Sequence, residues 1–375
     1  MEQQQSAIQN RIHQVREIKK KYERFLPAIF FVGGFSFDAV MLDRIDSPMA
    51  LAQQALYLLL VLQILKFKTL QELNAWQPSP RLAKIWHYHS EALNFFLGTL
   101  LNFYTLFYFV SSSLATSAVF IIIVFGLLYV NEAPRFHERN LQIKYGLYAV
   151  AIFSFLFIMV TLTLQFVGYF PFLLAIAIGL FFFYGVYLSF IKRQLDPTHL
   201  KKLIYIPTGT VAAVLVALYV LRILPPIPLS VQYIGIFHDV KKVPGEKETK
   251  LLLSYDRPKW KFWQHGDQSF AAAPGDKVYC FARIFAPRNF KDKVVFHWLK
   301  ESAAGNWQDV DRISDEIHGG RDEGFRTFVY KTNFDPGEWR VQIETSDGHE
   351  MGRIHFTVEK VEASATPREF RTLEQ

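Results

Sequence analysis

The sequence predicts an integral membrane protein: an α-helical bundle of seven transmembrane helices followed by an all-β, sandwich-like soluble domain. Three observations carry this prediction. Seven long apolar runs lie between residues 25 and 224. Lys and Arg crowd every second connection between those runs. Beyond a cluster of prolines, continuous apolar stretches give way to apolar/polar alternation.

The runs are Phe25–Leu42, Ala50–Leu65, Ala92–Val110, Thr116–Val130, Leu147–Val167, Phe170–Phe190 and Ile206–Leu224. About 20 apolar residues in a helix cross the hydrocarbon core, and aromatic flanks extend the shorter runs into the interface. In lipid each backbone polar group needs an internal partner, so such runs are helices or barrel strands. They lack the two-residue period of a barrel, which leaves helices.

Ahead of the first run, residues 1–24 predict an amphipathic helix on the inner leaflet. Ile8, Ile12, Val15, Ile18 and Tyr22 form one stripe, and the other face is basic. No short apolar leader with a small-residue cleavage site precedes the first run, so that run is expected to direct insertion.

Orientation follows from the cations. The N-terminal segment and the connections after runs two, four and six hold 17 Lys and Arg, and the opposite short connections hold only Arg44. The positive-inside bias then places the N-terminus in the cytoplasm. Seven crossings put the C-terminal domain on the other side, which in the inner membrane of a bacterium with two membranes is the periplasm.

Charge supports the division. Residues 1–224 hold 19 Lys/Arg against 11 Asp/Glu, and residues 225–375 hold 22 against 23. The basicity belongs to loops that face anionic lipid. No basic soluble domain exists to bind nucleic acid. The single cysteine, Cys280, excludes an internal disulfide and fits a buried small hydrophobe.

Pro225, Pro226 and Pro228 mark a stiff link over 225–229. Over 230–360, Val278, Cys280, Ala282 and Ile284 alternate with polar positions. Trp339, Val341 and Ile343 do the same, as do Ile354, Phe356 and Val358. Turn signals at Pro274-Gly275-Asp276, Gly305-Asn306, Gly319-Gly320, Pro336-Gly337 and Asp347-Gly348 separate them, as in an antiparallel sandwich. Residues 361–375 read as a loose tail.

Several of these segments resemble a known family. Pro274–Phe285, Phe296-His297-Trp298, Gly319-Gly320-Arg321, Gly324-Phe325-Arg326, Pro336–Val341 and Asp347-Gly348 are similar, in order, to domain-of-unknown-function family 2914. The helical part, with Gly33-Gly34-Phe35 to Asp38, Arg44-Ile45-Asp46 and Asn131-Glu132, resembles the membrane region often found ahead of that domain. The resemblance implies a bacterial envelope protein and brings no activity or catalytic residue.

Within the membrane, Asp38 and Arg222 stand out. An intramembrane charge is paired, functional or snorkelling. A structural ion pair between the first and last helices is expected first, and a proton- or ion-handling carboxylate is the alternative. His87, Glu91, Glu132, His137 and Glu138 lie at one level, but no metal-binding spacing joins them, and an interfacial aromatic belt with Trp86, Tyr88 and His89 explains the stretch. Ala175 and Gly179 suit a close helix contact, and Asn94 and Asn102 suit either cross-links between helices or the lining of a small cavity.

In the soluble part, His297, Trp298, Arg326, Lys331 and Arg340 are the candidate ligand-binding residues, with Trp260, Trp263 and Trp307. Cations beside exposed aromatics suit a glycan or a phosphate-bearing polymer. The bland alternative pairs each cation with an acidic neighbour. Asp311, Asp315, Glu316, Asp322 and Glu323 cluster without an EF-hand pattern. No catalytic residue, cofactor or metal is expected. The expected function is a periplasmic sandwich that binds an envelope partner, protein or glycan. The alternative is a membrane-embedded transporter or enzyme working through Asp38.

Overall fold

The structure, a computed structural model, describes residues 47–111, 122, 123, 126, 141–244, 250–320, 324–361 and 368–375. Among the described residues five helical stretches are long and apolar enough to cross a membrane. They are α1 (Pro48–Glu72), α3 (His89–Val110), α4 (Leu141–Leu164), α5 (Tyr169–Ile191) and the stretch Pro197–Val220. Between α1 and α3 lies the short α2 (Pro80–Trp86). The five match the second, third, fifth, sixth and seventh runs. The first run lies outside the described residues, and the fourth is described only at 122, 123 and 126. The described residues therefore support five spans, not seven.

The last stretch corrects the sequence reading at both ends. It begins upstream at α6 (Pro197–Leu200), whose N-cap Asp196 accepts the Thr198 and His199 N–H groups. A wide π turn, Lys201–Tyr205, leads into α7 (Ile206–Val220). Pro207 thus sits inside a continuous span, directly after the wide turn. Proline has no N–H to give, and a local change in helical winding accommodates it. At the far end α7 stops at Val220, four residues before the apolar run does, and Arg222 adopts a positive φ of 57°.

Small and polar residues join the helices. A Cβ on Gly179 would sit 2.5 Å from a ring carbon of Phe153, so α5 packs directly onto α4 there. Lys144, counted above as a loop cation, lies buried on α4 and donates to Asn94 Oδ1 on α3 at 2.6 Å. Helix α4 starts at Leu141, which draws Lys144 into the bundle. Trp86 stacks on His89 at 4.6 Å and donates to Gln71 Oε1 at 2.7 Å, forming an aromatic corner with Phe67 and Trp76.

The β-rich domain has three sheets. Its strands are β1 (Ser230–Phe237), β2 (Asp239–Val243), β3 (Lys250–Tyr255), β4 (Ser269–Ala272), β5 (Val278–Phe285) and β6 (Lys291–Glu301). They continue as β7 (Trp307–His318), β8 (Phe325–Lys331), β9 (Gly337–Thr345), β10 (Glu350–Lys360) and β11 (Arg371–Glu374). One sheet has the order β1-β5-β8 and the second β4-β10-β9-β6-β7. Pairing is antiparallel except between β4 and β10. The alternating apolar positions of β5, β6, β9 and β10 meet between these sheets, with Trp298 and Trp339 fully enclosed.

A third sheet, β11-β3-β2, covers the outer face of the first. Phe237, Val240, Leu253 and Phe281 form that second core. Strand β5 is consequently buried on both faces, and burial pushes the Cys280 thiol well up, leaving it inert. The end of the chain is not loose. Arg371–Glu374 pair with β3, and the Gln375 backbone exchanges hydrogen bonds with Leu251.

Candidate functional site

The proline-rich link does not hold the domain at arm's length. Ile227 and Leu229 are buried, and Val167, from the turn between α4 and α5, enters the sandwich core beside Leu229. Hydrogen bonds reinforce this junction. The Lys291 N–H donates to Gln165 O at 3.1 Å, and the Val167 N–H donates to Asp292 Oδ2 at 3.0 Å. The Tyr219 hydroxyl, on the last turn of α7, donates to Asp347 Oδ2 at 2.8 Å. His349, fully enclosed, donates from Nε2 to the Tyr219 carbonyl at 3.0 Å, and its Nδ1 lies 3.1 Å from Asp347 Oδ1. Burial alone would raise the Asp347 carboxyl. The His349 contact and the Thr345 and Tyr219 hydroxyls outweigh it and hold the carboxyl at about 2.

Arg222 belongs to this junction. Its guanidinium lies against Gly348, where a Cβ would come within 2.9 Å of Cζ. It sits past the end of α7 and faces the β9–β10 turn, so it is not a charge inside the last helix. Asp38 lies outside the described residues.

The candidate ligand-binding residues do not converge. His297 and Trp298 are neighbours on β6, so they face opposite ways. Trp298, expected as an exposed aromatic, is 1 % exposed in the core. His297 points to the outer face of the five-stranded sheet, yet it is buried as well. Glu344 Oε1 is 2.9 Å from its Nδ1, and Asp309 Oδ2 is 3.0 Å from its Nε2. The second approach lacks hydrogen-bond geometry. Arg312 bridges to Asp309 at 3.0 Å.

Along the same face Arg340 lies over the Trp307 ring at 4.4 Å, and Trp307 contacts His355. Burial, then the charges of Arg340 and Arg353, pull the His355 imidazole down. Lys331, on β8, gives its ammonium to Asp311 on β7 at 3.0 Å. Asp315 accepts from Thr327, so two carboxylates of the acidic cluster are engaged in β7–β8 contacts, and Asp322 and Glu323 lie outside the described residues. Among the described residues no three His, Cys, Asp or Glu side chains gather as metal ligands.

Two other surfaces emerge. The first is the loop between β3 and β4. Trp260, Phe262 and Trp263 are 64, 80 and 58 % exposed, and the Lys261 ammonium lies 5.4 Å from the Trp260 ring centre. The loop is seated by Gly266, at φ +68°, where a Cβ would strike Ile236 O at 1.9 Å. The Asp267 N–H donates to that oxygen at 2.7 Å. Beneath the loop is a cavity of about 180 Å³ lined by His238, Arg257, Lys261 and Asp267 among others. His238 Nε2 lies 3.4 Å from Asp267 Oδ2, and its ring stacks on Phe270. Burial lowers His238 to about 4 and raises Asp267 to about 6, so at neutral pH an uncharged imidazole faces a carboxylate. The density of Trp and Phe within four residues was the sequence signal for this loop.

The second surface is an open cleft of about 610 Å³ lined by Gln232, Lys250, Arg283, Arg326, Glu374 and Gln375. Of these only Arg326 was a sequence candidate. Strand β11, which supplies Glu374, was not expected at all.

Residues 291–358, which run from β6 to β10 through the five-stranded sheet, match the family described as "Protein of unknown function (DUF2914)". The matched segment contains His297, Trp298, Arg326, Lys331 and Arg340, while the aromatic loop lies outside it. No curated protein matches the chain.

Among solved structures, an immunoglobulin-like protein from Pseudomonas aeruginosa is 10 % identical, covers 35 % of this chain and 96 % of its own, and has a TM-score of 0.20. A β-glucosidase involved in saponin metabolism from intestinal bacteria is 13 % identical over 34 % of this chain and 16 % of its own, TM-score 0.20. A β-glucosidase from Listeria innocua is 12 % identical over 30 % and 16 %, TM-score 0.18. At such scores these likenesses carry no argument about this chain.

Proposed function

We infer that the chain is a seven-span bacterial inner-membrane protein whose periplasmic sandwich binds an envelope partner, protein or glycan. The five described spans, with the apolar runs Phe25–Leu42 and Thr116–Val130, support seven crossings. The skew of Lys and Arg toward alternate connections supports a cytoplasmic N-terminus.

The β3–β4 loop carries the binding part of this reading. A contiguous group of three large aromatics held in water marks an interaction surface, because burial there releases apolar area that the fold alone leaves exposed. Trp is enriched among the residues that dominate interface energies. Gly266 bridges to Ile236, six residues along β1 from the membrane-side end. At about 3.3 Å per residue Gly266 lies roughly 20 Å along the strand from that end.

The test is copurification of the full-length protein in mild detergent, compared with Trp260→Ser/Phe262→Ser/Trp263→Ser. Each aromatic truncation at an interface hot spot costs about 2 kcal/mol, so recovery of the partner falls at least about tenfold. Cys280 stays unreactive to thiol reagents, showing the fold intact. A triple variant that recovers the same partner equally well contradicts the reading.

A further inference from the structure

The geometry points to a sugar-binding pocket in the cavity beneath the β3–β4 loop, which takes one residue of an uncharged glycan while the loop aromatics carry the residue beside it. This names the chemistry of the partner and rests on the loop being the partner-binding surface.

Three segments converge on the cavity. His238 lies between β1 and β2, Asp256 and Arg257 directly follow β3, and Asp267 precedes β4. Lys261, from the loop, lines the same cavity and lies against the Trp260 ring, so the polar cavity and the exposed aromatics are continuous. At roughly 30 Å³ for each water, the cavity of about 180 Å³ equals about six of them. That is room for one sugar ring and not for a length of chain.

Buried groups here lack hydrogen bonds. The His238 side chain is 4 % exposed, and its Nε2 faces Asp267 Oδ2 at 3.4 Å. Its Nδ1 is buried with no partner among the described residues. Phe270 stacks on the ring at 4.0 Å and Phe370 lies 4.8 Å from it, which fixes the ring plane. A neutral imidazole with its proton on Nε2 presents an acceptor at Nδ1. Arg257 adds two buried donors with no partner among the described residues, Nε and Nη1. Unpaired buried groups are costly, so a ligand that both donates and accepts gains at each. A sugar hydroxyl does both.

Charge selects an uncharged sugar. Asp256 and Asp267 stand against Arg257 and Lys261, and burial lowers the His238 imidazole so that it is neutral at pH 7. These side chains sum to zero, so no fixed excess draws an ionic group. The aromatics complete the fit. One face of a pyranose is made of C–H bonds, and an exposed indole covers it while the hydroxyls at the ring edge stay free to hydrogen-bond. Trp260 and Trp263 stand at 63° with ring centres 5.7 Å apart, an angled notch beside the cavity. A protein partner would cover the aromatics and leave the donors of Arg257 unmet.

The experiment uses the full-length protein in a polyoxyethylene detergent, which carries no sugar. Maltotetraose, cellotetraose, mannotetraose and chitotetraose are titrated calorimetrically, with tetragalacturonate as the acidic comparator. At least one neutral tetramer is expected to bind, and more tightly than tetragalacturonate. Arg257→Met and Asp256→Asn each weaken that binding by about tenfold or more, the scale of a lost hydrogen bond to a charged group. Cys280 stays protected from thiol reagents in both, showing the fold intact. If Arg257→Met does not fold, Asp256→Asn alone decides. No binding of any neutral tetramer, tightest binding of tetragalacturonate, or parental affinity in the variants overturns the proposal. Arg257→Met is also carried through the copurification, where it should lose the partner as the triple loop variant does. Full recovery by Arg257→Met beside loss in the triple variant overturns the sugar assignment and leaves the loop reading standing. Full recovery by the triple variant strikes the loop reading and the sugar assignment with it.

Discussion

Replacing Asp347 by alanine is expected to cost the folded protein about 3 kcal/mol, the scale for removing one partner from a buried charged network. Asp347 ties three groups together: the Tyr219 hydroxyl on α7, the Thr345 hydroxyl and the His349 imidazole. Its loss strands a buried histidine and frees the last turn of the membrane helix from the sandwich. Heating should then expose Cys280 at a lower temperature, and amide exchange should rise in the 345–350 turn.

The same carboxylate makes the junction acid-sensitive. Its folded value of about 2 is below the unfolded one, so its contribution is fully present above about pH 4. That contribution, about 2 kcal/mol, is lost as pH falls from about 4 toward 2. Asp292 works the other way. Burial, with the Asp347 charge as a lesser cause, raises its carboxyl, so its protonation offsets part of the loss. Asp347→Asn should flatten this acid limb. A variant with the parent's acid profile would contradict the assignment.

Gly319→Ala is expected to destabilise by about 3 kcal/mol or more, the upper range for overpacking. A Cβ there would lie 1.8 Å from Pro287 O and 2.9 Å from Phe290 Cβ. Neither is the far end of a flexible side chain. The β5–β6 loop would have to move, and with it Lys291, which bonds Gln165 at the junction. Gly320→Ala provides the comparison. That residue has φ +99°, and the nearest atom to an added Cβ is 3.7 Å away, so only the backbone conformation is penalised, at about 1 kcal/mol. Cys280 exposure on heating separates the two. Equal melting temperatures for the two variants would contradict this packing.

Much of this architecture was legible in the sequence. Apolar runs long enough to span lipid have few alternatives, and five of them became membrane-length helices. Alternation at Val278–Ile284, Trp339–Ile343 and Ile354–Val358 located the inner faces of the sandwich. Polar burial was not legible, because it depends on register. Glu344 and Asp309 enclose His297 only after β6 pairs with β9 on one side and β7 on the other. The opposition of Arg283 and Arg326 is likewise invisible until β5 and β8 align. Strand β11 was missed because four residues with one apolar side chain carry no period of their own, and β3 supplies the template. The end of α7 was misplaced because Leu221, Ile223 and Leu224 continue the apolar run while the backbone already turns at Arg222.

The measurement that bears most directly on the proposed export of the sandwich is the accessibility of its exposed loop. Phe262→Cys should react with a membrane-impermeant maleimide on intact spheroplasts, while the buried Cys280 of the parent stays silent. Labelling of Phe262→Cys without permeabilisation is the predicted result. Labelling only after the membrane is broken would place the domain in the cytoplasm and contradict it.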